Sequence, residues 1–166
     1  MATVSRETLV VALSKFVGKS CSGYVAGGAA GSLVTLEFEP RVLRQSPLKN
    51  RHLSDLQRRT EAQFAIFVKC VWRLDSTHEV ICGAWDDNSP DGPMLQGLKQ
   101  LVGKSLRSFS LTDPGLDLCL DFDGLCFRVF CDQVNEIDQD DNYILFLPEE
   151  ILTVATRSKV EWGGGE

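Results

Sequence analysis

Two copies of the tetrapeptide VGKS, at residues 17–20 and 102–105, come closest in this chain to a phosphate-binding motif. A phosphate loop needs G-x-x-x-x-G-K-S/T, because glycine amides must wrap the anion just ahead of a helix N-terminus. Leu13 in one copy and Leu98 in the other replace the first glycine. The apolar spacing also predicts a helix before each VGKS and a strand after it, the reverse of the order that loop requires. Gly18 and Gly103 therefore read as helix stops. The glycine-rich stretch at 23–32 leads into a strand with no βαβ unit and reads as a hairpin loop, not a dinucleotide fingerprint.

Other reactive side chains are equally poor in catalytic pattern. His52 and His78 are the two histidines, both in irregular stretches, so a general base has few candidates. The six cysteines include no C-x-x-C pair, which argues against zinc and for reduced, packed thiols. The run DQVNEIDQDD has oxygen ligands but lacks the alternation and central glycine of a calcium loop. No catalytic residue, metal site or cofactor is assigned. Trp72 and Arg73, at a strand end, form a candidate anchor pair for a partner. The competing reading buries Trp72 in the core and pairs Arg73 with a carboxylate such as Glu37.

The elements that hold these residues are written twice. LSKFVGKS at 13–20 matches LKQLVGKS at 98–105, and GSLVTLEFE at 31–39 matches GLDLCLDFD at 115–123. Such self-similarity predicts a duplicated unit. Leu9, Leu13, Phe16 and Val17 form one helical stripe, and Leu95, Leu98, Leu101 and Val102 form another behind Pro93. Leu116, Leu118, Leu120 and Phe122 alternate with polar residues, as do Val34, Leu36 and Phe38, which predicts half-buried antiparallel strands. Asp123-Gly124 predicts a tight hairpin into LCFRVFCD, the counterpart of FAIFVKCV, in which Cys70 matches Cys131. VICGAW at 80–85 and YILFLP at 143–148 are expected to close their respective halves, with ILTVATR at 151–157 as a further strand. The expectation is an α+β fold of two similar α-β-β-β-β halves, residues 1–89 and 90–166, related by a pseudo-twofold axis in one compact domain. Helices would pack on mainly antiparallel sheet. The halves differ at 40–63, a long basic loop carrying Arg58 and Arg59, and at 132–141, an acidic run with no base. The tail EWGGGE is expected to fray, apart from docking by Trp162.

Net charge is −6, with +4 concentrated in residues 40–63, leaving −10 elsewhere. An acidic body disfavours nucleic acid, which needs a basic surface, and suits a basic protein partner. No apolar run approaches the ~20 residues of a membrane helix, and the N-terminal apolar stretch is broken by Ser14 and Lys15. A cytoplasmic location, with no membrane partner, is expected.

The sequence of GSLVTLEFE, an insertion, FVKCVWRLD, and then GLDLCLDFDGLCFRVFCD and NYILFLP resembles a group of small bacterial proteins. Many of these look like immunity proteins of polymorphic or contact-delivered toxin systems. The resemblance spans roughly residues 9–157, without the basic insertion, and its motifs are strand patterns with no active-site residue to carry over. It implies a binding module that neutralises a cognate toxin. Asp132, Glu136, Asp138, Asp140 and Asp141, joined by Asp86 and Asp87, are the expected acidic face toward a basic toxin. Arg58 and Arg59 mark the alternative surface. A competing reading is a small enzyme or ligand-binding protein with a site between the halves, lined by carboxylates, Arg73 and His78.

Overall fold

A computed structural model of the chain describes residues 2–138 and 140–164. Helix α1 (Arg6–Ser14) starts at Ser5, whose side chain accepts from the Thr8 amide, and it buries Leu9, Ala12 and Leu13. Helix α3 (Pro93–Leu98) starts with proline in its first turn and runs into a short 3-10 turn over Lys99–Leu101. Gly97 faces the β-strand behind it so closely that a Cβ would lie 2.4 Å from the Cys82 sulfur, hence glycine inside a helix. Gly18 and Gly103, at φ 88° and 86°, follow the two helical segments as the stops expected of them.

Among the described residues, twelve strands form two antiparallel sheets. They are β1 (Ala2–Thr3), β2 (Cys21–Ala26), β3 (Val34–Leu43), β4 (Thr60–Val68), β5 (Val71–Ser76), β6 (Val80–Gly83), β7 (Ser108–Leu111), β8 (Leu118–Asp121), β9 (Leu125–Phe130), β10 (Tyr143–Leu147), β11 (Glu150–Val154) and β12 (Val160–Gly164). The seven-stranded sheet runs β1-β12-β11-β10-β4-β3-β2, and the five-stranded sheet runs β6-β5-β9-β8-β7. An α+β fold with mainly antiparallel sheet is therefore the architecture. Asp123 and Gly124 turn β8 into β9, both at positive φ as a primed two-residue turn requires.

The hairpins that were expected to close their own halves cross over instead. β5-β6 pairs with β9, and β10-β11 pairs with β4. Each sheet thus contains strands from both sides of residue 90, and the chain cannot be cut there into separately closed units. Local alternation specifies which face of a strand is buried but not which edge it joins, and the shared core decides the edge. Phe16 packs edge-on against Phe38, and Phe38 stacks on Phe122 across from the five-stranded sheet. Trp72 of β5 donates its Nε1–H to the Ser32 carbonyl, and Tyr143 of β10 donates its hydroxyl to the Leu116 carbonyl. Each tie runs from the first turns of a crossing hairpin to the loop that follows Gly31 or Gly115.

The segments after the two helices also meet. Ser20 and Ser105 form an antiparallel bridge, with their hydroxyls 3.2 Å apart. The Gly18 amide donates to Leu106 O and the Gly103 amide to Cys21 O, both at 2.8 Å. The Leu106 amide donates to Lys19 O and the Cys21 amide to Lys104 O.

Several local expectations change. Residues 40–63 are not simply a loop: β3 and β4 continue into them as an arm, paired from Arg41–Ala62 to Leu43–Thr60. A short helix, α2 (Asp55–Arg59), then closes on Ser54 through a capping box with Gln57. Leu116 precedes its strand at φ 60°, freeing its carbonyl for Tyr143 and the Cys131 thiol. The tail pairs as β12, with Trp162 opposite Leu152. Residues 165 and 166 of the tail lie outside the described residues. Cys119 and Cys126 form a disulfide across β8 and β9, at a Cα separation of 6.4 Å, so the expectation of six reduced thiols fails for this pair. Cys21, Cys70 and Cys82 are buried free thiols, and burial pushes Cys21 and Cys82 up to about 12. The Cys70–Cys131 contact raises Cys131 well above a normal thiol.

Candidate protein-binding surface

At one end of the seven-stranded sheet, β2 ends at Ala26, β4 ends at Val68 and β10 begins at Tyr143. The acidic loop 132–141 enters β10 at this end. It is tied down by Asn142, which is fully buried and whose side chain accepts from the Gln133 amide and donates to Ala155 O. Arg157 donates its amide to Gln133 O on the other side. A buried amide anchoring both strands of a loop fixes where the exposed residues stand.

Bases do accompany this loop, contrary to the reading of the sequence. Lys69 Nζ lies 3.8 Å from Asp140 and 3.7 Å from Asp141, while Glu136 pairs with Arg157 at 3.2 Å and Lys159 at 3.8 Å. These bases come from strand ends distant in sequence, so the local charge count missed them. The Glu136 pairs are solvent-exposed and weak and those of Lys69 are long, and five carboxylates against three bases still leave the loop acidic. Asp138 accepts from Asn135 Nδ2, and Asn135 Oδ1 accepts from the Ile137 amide. That turn holds Ile137 outward, 89% exposed, with Val134 also exposed nearby. A large exposed apolar side chain flanked in the chain by Glu136 and Asp138 suits a partner surface with an apolar socket and a basic rim.

Asp86 and Asp87 stand at the same end of the sheet, beside the 27–31 turn. Asn88 donates from Nδ2 to Gly28 O and Gly31 O, and Gly28 donates back to Asn88 O. Three strand spacings, about 15 Å, separate β2 from β10, so these two acids flank the 132–141 loop and do not merge with it. Both serve their own turns: Asp86 accepts from the Gly83 amide and Asp87 from the Ser89 amide, the latter holding the Asp87 carboxyl below its ordinary value. Beside them, Trp85 is 83% exposed.

Trp72 does not reach any partner. It is 1% exposed and stacks on Phe127. Arg73 is on the surface, but its carboxylate is Asp75, not Glu37. Glu37 instead pairs with Arg41, and both side chains are nearly buried beneath α2, where Gln57 also donates to Glu37 and to Tyr24 O. The basic insertion is thus built on structural arginines. Arg44 pairs with Glu61, and Arg58 with Asp55. Lys49, Arg51 and Arg59 are exposed and supply the arm's available positive charge. Exposed Trp85 and Ile137 were the residues missed by sequence reasoning. Ile137 had a readable signal, an isoleucine inside an acidic run that shares no helical or strand period.

Two clefts mark the surface. One, of about 500 Å³, lies among Lys15, Phe64, Leu147, Glu150 and Trp162. The other, of about 560 Å³, lies among Cys21, Pro40, Arg41, Leu56 and Val102. Neither contains Arg73 or His78, and both histidines are exposed. Among the described residues, no group of three or more His, Cys, Asp or Glu is arranged to hold a metal ion, and no helix is long and apolar enough to cross a membrane. Comparison of the chain with protein-family models, with curated proteins and with solved structures returned no match.

Proposed function

We propose that this chain is a non-catalytic protein-binding module, an immunity protein that neutralises a basic bacterial toxin. The observation that carries the reading is Ile137, held outward by its own turn inside a loop of five carboxylates. The acid excess steers a basic partner, and the apolar tip supplies dry contact once it arrives. The bridge at Ser20 and Ser105, the matched ties from Trp72 and Tyr143, and the sequence repeat support reading the two halves as copies of one unit about a pseudo-twofold axis. Duplication of this kind would give a rigid scaffold whose loops are free to diverge.

Coexpression with toxins encoded beside the gene tests the function, with binding kinetics measured on any complex recovered. Neutralising Asp132, Glu136, Asp138, Asp140 and Asp141 should slow association several-fold at low salt, whereas Ile137→Ala should mainly speed dissociation. Absence of both rescue and complex formation across all the neighbouring products would sink the proposal.

A further inference from the structure

We propose that Cys70 and Cys131 are a redox site: a low-molecular-weight disulfide such as oxidised glutathione converts them into a second cross-strand disulfide, which stiffens the root of the acidic loop. Strands β5 and β9 pair from Ser76–Leu125 to Val71–Phe130, so Cys70 and Cys131 fall opposite one another at the next position. Cys70 continues the inward alternation of Leu74 and Trp72, and Cys131 that of Phe127 and Val129, all four of which are buried. Neither cysteine amide bonds across the pair. That of Cys70 donates to Asn142 O and that of Cys131 to a carboxylate oxygen of Asp117. Facing residues without mutual amide bonds have Cα atoms about 4.5 Å apart and the closer side chains, within the roughly 4.4–6.8 Å that a disulfide spans. The two thiols are in contact.

Access sets the order of events. Cys70 is 3% exposed and Cys131 only partly buried, so Cys131 meets the oxidant first. Its thiolate attacks one glutathione sulfur, forming a mixed disulfide and releasing one glutathione thiol. The Cys70 sulfur then attacks the Cys131 sulfur and expels the second glutathione. Both cysteine protons end on the two released thiols; the cysteine pair is oxidised and the glutathione disulfide is reduced. Contact with Cys70, and then burial, raises Cys131 well above an ordinary thiol, so its thiolate is scarce at neutral pH and the exchange quickens as pH rises. Oxidation removes the Cys131 S–H donor from Leu116 O, but the Tyr143 hydroxyl still donates there, and no acceptor is orphaned. Cys131 leads into the 132–141 loop, and the Cys70 amide holds Asn142 at its far end. One bond between them therefore ties the start of the loop to the residue that anchors its finish.

Incubation of the folded full chain with oxidised glutathione over a pH series, followed by acid quenching, alkylation and peptide mass spectrometry, tests the site. No toxin is needed, so failure leaves the proposed function standing. A peptide joining Cys70 to Cys131 should accumulate in the wild type, faster at higher pH, while Cys21 and Cys82 stay free. Cys70→Ser should halt at a glutathione adduct on Cys131, and Cys131→Ser should leave Cys70 unmodified. In the bridged wild type, hydrogen exchange at the Gln133 amide should slow relative to the unbridged protein. A joined peptide that forms in urea but not in the folded chain, one that forms no faster at higher pH, or Gln133 exchange that the bridge leaves unchanged would each overturn the proposal.

Discussion

Phe67 on β4 and Arg128 on β9 stand at corresponding places in the two sheets, each on the outer face and each between one neighbour on the preceding strand and one on the crossing hairpin. Phe67 lies between Thr35 and Ile144, while Arg128 lies between Cys119 and Arg73. One row along, Phe146 corresponds to Asp75 and Ala65 to Cys126. Inside, the two sheets are alike: Val68 and Val129, Tyr143 and Trp72, Leu36 and Leu120 are all buried. The interior is fixed by packing, which tolerates little change in volume. The exteriors share no such constraint. On the five-stranded sheet, Asp75 binds both Arg73 and Arg128, and a disulfide ties Cys119 to Cys126. That face has its charges satisfied within itself. The seven-stranded sheet places Phe67, Ile144, Phe146 and Ile151 at the equivalent positions, of which Phe146 is the most exposed at 37%.

The likeness of the interiors is broken most severely at the crossing hairpins. Trp72→Ala should cost about 3–5 kcal/mol, since it empties a fully buried aromatic site and orphans the Ser32 carbonyl. Tyr143→Phe keeps the ring and removes only the donor to Leu116, so about 1–2 kcal/mol is expected. Urea unfolding of both variants measures the difference. Equal losses would mean that the ring of Trp72 contributes nothing beyond its hydrogen bond.

The next effect separates the two exteriors. Asp75→Ala leaves Arg73 and Arg128 directly opposite one another with no carboxylate between them, and should cost on the order of 1–2 kcal/mol. The Arg73 hydrogen bond, with a further one from Arg128, holds the Asp75 carboxyl below its ordinary value in the folded state. A depressed carboxyl stabilises fully above its unfolded value, and that stability is lost as pH falls through the lowered folded value. The gap between wild type and Asp75→Ala should therefore narrow on acidification below the ordinary aspartate range. A gap that is constant with pH would show that Asp75 acts through packing and not through its charge.

What could be read from the sequence follows the range of the interaction. Alternation of Leu118 and Leu120 with Cys119 and Asp121 specified the faces of β8, and Asp123-Gly124 specified its turn, because both depend on neighbours within a few residues. The helix stops at Gly18 and Gly103 were legible for the same reason. The edge chosen by β10 was not, since pairing Tyr143 with Val68 joins residues 75 apart and depends on the finished core. The same distance hid the partner of Arg73 and the bases beside the acidic loop, whereas the burial of Trp72 was open to reading from its residue type. Residues 132–141 were recognisable as acidic, but the fact that Ile137 points outward depends on Asn135 and on the buried Asn142, which composition does not reveal.

The smallest effect expected is the most direct measure of the exterior contrast. Phe146→Ala removes an aromatic ring that is already about one-third exposed, so the protein should lose under about 1 kcal/mol, less than full burial of a phenylalanine is worth. Its matching position on the other sheet, Asp75, is expected to cost more although it is the smaller side chain, because two arginines depend on it. Urea unfolding of Phe146→Ala and Asp75→Ala side by side measures the two costs. A Phe146→Ala loss equal to or larger than that of Asp75→Ala would show that the exposed ring contributes as much to its face as the ion-paired aspartate does to the other.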